Sequence, residues 1–362
     1  MRAALFAIAI LCGCGASSSP ARRPAAMRRL PPANPQAVNQ FQAGVRFLKQ
    51  GPAKHAQALA RFQKSVEIDP NLWEAHYDLG YLHEYDGDLA KAAKSYRTAL
   101  KIQPGHRPNV VRLGEVLRRA GDAAAAQEVY EDYLEANPDA IEVRVSLVGI
   151  LRARREWSDA LAQARKVLVR DGRNVQALNH VGMIYFEQER WEIAELVFKK
   201  ALEIAPQDAS ILVNLGLVAL ARGDNQAAFA LFARATEADP QNPAARMNKA
   251  SVLLECGNFA DAETDIRSVI QSNAEDTGAW NALGVSLRGQ SKHAEAKAAW
   301  EQVLELRPNH AGALFNLGRL HVDFLQQPRE GATFLRRYLE VAPPGAPDRE
   351  AAEELLQVAS GS

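Results

Sequence analysis

Pro206–Pro240 reads PQDASILVNLGLVALARGDNQAAFALFARATEADP. The two prolines stand 34 residues apart, with Gly216 ten residues after the first, Gly223-Asp224 near the middle, Ala228 twelve residues past Gly216 and Phe232 four further on. Alanine and leucine fill the rest, which favours helix over strand. Gly223 supplies a left-handed backbone position and Asp224 an N-cap, so the segment divides into two helices joined by a tight turn. Pro240 cannot continue the second helix and turns the chain toward a next unit.

The same punctuation runs along the chain. Pro70, Pro104, Pro138, Gly172, Pro206, Pro240, Ala274 and Pro308 follow one another at 34 residues. A small position follows each by ten residues, at Gly80, Gly114, Val148, Gly182, Gly216, Ala250, Gly284 and Gly318. Ala92, Ala126, Ala160, Ala194, Ala228, Ala262 and Ala296 mark a second small position, followed by Tyr96, Tyr130, Ala164, Phe198, Phe232, Ile266 and Trp300. Small against large is what two closely crossing antiparallel helices need. A first unit starts near Ala37 with extra residues around Gly51-Pro52, and a last one carries Gly318, Gly331, Leu335, Tyr338 and Pro343. The fourth unit (Val148, Ala164, Gly172) and the seventh (Lys249, Ala250, Ala274) depart from the pattern.

A fixed 34-residue period of this kind resembles the tetratricopeptide repeat. The resemblance implies an all-α chain, a right-handed superhelical α-solenoid of about nine helix-turn-helix repeats over residues 37–343. Residues 344–362 hold a closing helix and tail, with Leu355, Leu356 and Val358 turned inward as a terminal cap requires.

Lys plus Arg and Asp plus Glu number 43 each, so global charge argues neither for nucleic acid nor for an acidic polymer. Locally, Arg22, Arg23, Arg28 and Arg29 stand without an acid between Cys14 and Gln36, which makes a basic tether before a mildly acidic body. Residues 1–13 read as a secretory signal, Arg2 followed by an apolar run that is shorter than the about 20 residues a bilayer span needs. Leu11-Cys12-Gly13-Cys14 resembles the bacterial lipobox, which implies that Cys14 becomes the lipidated first residue of the mature chain; the other reading is a plain signal peptide with incidental cysteines. Pro20, Pro24, Pro31, Pro32 and Pro35 with Ser17, Ser18 and Ser19 make 14–36 a tether without regular structure.

The three cysteines, Cys12, Cys14 and Cys256, form no disulfide framework, and the eight histidines scatter over different repeat positions. No catalytic constellation, metal set or cofactor motif is expected. Binding is expected instead on the face lined by the first helix of each unit. Tyr77, Tyr81 and Tyr85 stand there at helical spacing, followed by Arg112 and Arg119. The sixth position of successive units carries Asp78, Arg112, Ser146, His180, Asn214, Asn248, Ala282 and Asn316. Asn214, Asn248 and Asn316 resemble the asparagine ladder with which some repeats of this family hold an extended peptide by its backbone; the alternative is that these amides only bond local backbone. The tyrosine stripe has the alternative role of completing the core.

Together these readings are similar to lipid-anchored repeat proteins that pilot secretins, organise exopolysaccharide export or serve myxobacterial gliding motility. The function they imply is a non-enzymatic scaffold at the outer membrane, facing the periplasm, with protein partners, a membrane anchor and no nucleic acid. A scaffold for exopolysaccharide export, a regulatory arm and a structural spacer without a ligand stand as the other readings.

Overall fold

The structure, a computed structural model, describes residues 31–360. The signal segment, Cys14 and the tether as far as Leu30 lie outside the described residues. Only helices and turns occur among those residues, and they divide into two compact units between Glu156 and Trp157.

The first unit contains α1 (Pro35–Leu48), α2 (His55–Ile68), α3 (Trp73–Tyr85), α4 (Leu89–Ile102), α5 (Arg107–Arg119), α6 (Ala123–Ala136) and α7 (Ile141–Ala153). The second contains α8 (Trp157–Arg170), α9 (Val175–Glu187), α10 (Trp191–Ile204), α11 (Ala209–Ala221), α12 (Asn225–Ala238), α13 (Pro243–Glu255), α14 (Phe259–Ser272), α15 (Thr277–Gly289), α16 (His293–Leu306), α17 (Ala311–Asp323), α18 (Pro328–Val341) and α19 (Arg349–Ser360). Each unit is by itself a stack of antiparallel helix pairs in which a helix meets its hairpin partner and then the next hairpin. The division falls inside the fourth repeat, one of the two whose sequence departs from the pattern. The extra residues of the first repeat form a short 3-10 turn, Pro52–Lys54.

Within hairpins the small positions do what their spacing requires. A Cβ added at Gly216 would lie 2.4 Å from Phe232 Cε1, and at Gly80 2.6 Å from the Tyr96 ring. Gly44 with Phe62, Gly114 with Tyr130, Gly182 with Phe198 and Gly284 with Trp300 repeat the arrangement down the chain. These large side chains are buried essentially completely, each burial being worth about 1.5–3 kcal/mol. In the seventh hairpin Ala250 and Ile266, both buried, replace glycine and aromatic, a larger small residue meeting a smaller large one.

Turn chemistry sets the hairpin. Gly223 adopts φ 78°, and Asp224 accepts a hydrogen bond from the Ala227 amide at 2.9 Å to start α12. The equivalent turn residues Arg155, Glu189 and Ser291 take φ near 60° without being glycine (61°, 59° and 61°). The fold therefore imposes this left-handed position even where the side chain disfavours it.

Candidate functional site

Successive first helices touch one another, α5 with α7 in the first unit, and α9, α11, α13, α15 and α17 in order in the second. Their exposed sides form one face per unit, and the residues expected to bind fall on those two faces.

In the first unit, α3 supplies Tyr77, Tyr81 and Tyr85, and α5 supplies Arg112 and Arg119. Glu84, largely buried and absent from the sequence-based expectation, organises them. Its carboxylate accepts from Arg119 Nη1 at 2.9 Å, from the Tyr96 hydroxyl at 2.9 Å and from Arg112 Nη1 at 3.5 Å. The Arg112 guanidinium also lies 5.8 Å from the Tyr81 ring centre, within cation–π range. Burial opposes the charge on Arg112, but Glu84 and the neighbouring tyrosines outweigh it and hold its pKa above the ordinary value. Burial, with Glu84, raises the Tyr96 phenol. A partner carboxylate at this point must therefore compete with one already in place.

The tyrosine stripe divides between roles. Tyr77 packs between Tyr96 (5.5 Å between centroids) and His106 (5.2 Å), and burial raises its pKa. Tyr81 leans on the core formed by Phe62, Leu79 and Leu82. Tyr85 is exposed and meets His55 edge-on at 4.5 Å. Beside them Asp78 is half-buried, and burial, with nearby Glu74, raises its pKa to about 6.

The second unit carries the asparagines. Asn214 Nδ2 donates to Asn179 Oδ1 at 2.6 Å, and Asn316 Nδ2 donates to Asn281 Oδ1 at 3.4 Å. Both pairs join neighbouring first helices and both are 35 residues apart, one repeat plus one position. The Glu84–Arg119 contact has the same spacing. Counting 35 in either direction from Asn248 reaches Val213 and Leu283, which explains why Asn248 makes no side-chain hydrogen bond within the described residues. Each paired asparagine uses only part of its two-donor, two-acceptor capacity, so the track keeps groups for a ligand. His180 is half-buried on α9, Val213 is buried, and Met183, Phe186 and Leu217 pack partly into the core beneath. Farther along, burial, with Arg319 nearby, lowers the Arg288 pKa. Among the described residues no group of three or more His, Cys, Asp or Glu side chains is placed to hold a metal ion, and no helix is long and apolar enough to cross a membrane.

Two family models, both described as tetratricopeptide repeat, match the chain. One matches residues 41–107, 146–209 and 281–347, the other residues 84–149 and 219–284. Tetratricopeptide repeat protein 7B of Homo sapiens is 30% identical over 112 residues, 31% of this chain and 13% of that protein. BBSome complex member BBS4 of Mus musculus is 28% identical over 269 residues, 74% of this chain and 51% of that protein. The chain thus spans about half of the length of one of these curated relatives and far less of the other. The solved APC/C hetero-tetramer Cut9-Hcn1 superposes with a TM-score of 0.58 at 15% identity, covering 84% of this chain and 59% of that one, which speaks for the fold alone.

Proposed function

Because this chain belongs to the tetratricopeptide repeat family, we propose that it is a lipid-anchored scaffold of the bacterial envelope that holds extended protein segments on the first-helix face of its second unit. A scaffold for protein–protein interaction follows from the family; the anchor, the compartment and the peptide mode are the proposal. The asparagine track is the observation that carries it. Asn179–Asn214 and Asn281–Asn316 bridge adjacent first helices, and Asn248 stands between them with its amide unengaged. An amide can donate to a peptide carbonyl and accept from a peptide N–H at once, so such a track recognises backbone and makes little demand on partner sequence. A neutral hydrogen bond contributes about 0.5–1.5 kcal/mol net, so three ladder positions supply a few kcal/mol and other contacts set specificity. Leu11-Cys12-Gly13-Cys14 and the basic tether support membrane attachment, which suits assembly of a secretion, pilus or motility machine. The full-length protein is used as bait in detergent extracts of the envelope, beside Asn214→Ala/Asn248→Ala/Asn316→Ala. The variant is expected to lose partners while keeping the wild-type circular dichroism spectrum. Full retention of every partner by the folded variant rejects the groove.

A further inference from the structure

The outer helices α4 and α6 of the first unit carry opposite charges at the same repeat positions. Lys94, Arg97 and Lys101 on α4 correspond, 34 residues on, to Glu128, Glu131 and Glu135 on α6, and all six side chains are exposed. The register is fixed by the buried side of the same helices, where Ala92 and Tyr96 correspond to Ala126 and Tyr130. α4 contains no acid and α6 no base. The two helices flank α5, which packs against both. Within the described residues Lys94, Arg97, Lys101, Glu128 and Glu135 make no side-chain hydrogen bond or ion pair, while Glu131 accepts only from Gln127 at 2.9 Å. A basic strip and an acidic strip thus lie side by side on one surface, matched residue for residue and unpaired with each other.

We propose that this surface docks a second copy of this chain. A two-fold axis running along the helices, midway between them, lays α4 of one copy over α6 of the other and the reverse. Because corresponding residues occupy the same level of their helices, that single operation brings Lys94, Arg97 and Lys101 of each copy opposite Glu128, Glu131 and Glu135 of the other. The contact is isologous and therefore closes at two copies. An axis across the helices would stack like charges on like, which costs affinity, so the pattern also selects the orientation. An acidic peptide or an anionic lipid surface would use α4 and leave the matching acids on α6 unanswered. The pairs lie at exposed positions, so the dimer is weak and salt-sensitive. It uses the outer helices of the first unit and not their first-helix face, and does not depend on what binds there.

The test is sedimentation equilibrium of the full chain at low and high salt, with charge reversals. Lys94→Glu/Arg97→Glu/Lys101→Glu makes both strips acidic, and Glu128→Lys/Glu131→Lys/Glu135→Lys makes both basic. Each alone is expected to weaken self-association by about a hundredfold or more. Mixing the two variants, or combining all six changes in one chain, restores opposite charges and is expected to restore the dimer; circular dichroism checks that every variant keeps its helices. A wild type that stays monomeric at low salt overturns the proposal, as does a dimer indifferent to either reversal or the absence of rescue on mixing. Binding of the monomeric wild type to phosphatidylglycerol vesicles, lost with the α4 reversal alone, would overturn it in favour of a lipid surface.

Discussion

Asp78 occupies the sixth position of α3, where three later repeats place asparagine, and burial with Glu74 nearby raises its pKa to about 6 from an ordinary 3.8. A carboxyl whose folded pKa lies above its unfolded one favours the fold while protonated. That contribution is complete below about pH 4 and is lost as pH rises through 6. Asp78→Asn is therefore expected to stabilise the protein by about 1–3 kcal/mol at pH 7, and by little at pH 4, in urea unfolding. An equal effect at both pH values would show that the substitution acts through packing and not through the buried charge. Single residues differ in how far the sequence reveals them. Gly216 and Phe232 are legible because a recurrent small residue sixteen before a recurrent large one has one simple explanation, a close helix crossing. Glu84 is not legible at the repeat spacing. Neighbouring first helices are offset so that residues 35 apart meet, and a comparison at 34 places Glu84 against Arg118 and not Arg119. The same offset hides the partners of Asn214 and Asn316.

At the scale of elements the seventh hairpin, α13 with α14, is the informative departure. Where the sixth hairpin has Leu212, Leu215 and Leu231, the seventh has Arg246, Lys249 and Asp265. Asp265 is almost fully buried and takes Arg246 Nη1 at 2.8 Å and Lys249 Nζ at 2.9 Å, so three polar side chains do together what three leucines do one repeat earlier. Arg246 Nε also donates to the Pro240 carbonyl at 2.8 Å. The sequence shows the break at Lys249, but only the fold shows that the break is answered by Asp265 sixteen residues later. Removing one partner of a buried ion cluster leaves uncompensated charge, whereas replacing all of it with apolar groups is often neutral or better. Asp265→Ala is expected to cost about 3–5 kcal/mol, while Arg246→Leu/Lys249→Leu/Asp265→Leu is expected to equal or exceed the wild type in thermal stability. If the triple leucine variant is as damaged as the single, the cluster is required for the hairpin's geometry and not merely a substitute for apolar packing.

For the whole molecule, the period declares a repeat array from Pro70 onward because every unit must bury its faces against its neighbours with the same few residue types. The period says nothing of where the array divides. The boundary between Glu156 and Trp157 lies inside the fourth repeat and coincides with no break in the 34-residue spacing. The proposed anchor belongs to this scale too, because it would decide where the scaffold works. Cys14 follows a short apolar run and Leu11-Cys12-Gly13, and Cys12 is a poor acceptor because bulky Leu11 occupies the small-residue position before it. One acyl chain gives marginal membrane binding and several give stable anchoring, at about 0.8 kcal/mol per buried CH₂. Metabolic labelling with a fatty-acid probe is expected to mark the wild type and Cys12→Ala but not Cys14→Ala. Cys14→Ala is expected to move from the membrane to the soluble fraction, since the four arginines of the tether add only about 1 kcal/mol each at an anionic surface and cannot replace the acyl chains. Equal labelling of wild type and Cys14→Ala would remove the lipid anchor and leave a scaffold held, if at all, by its partners.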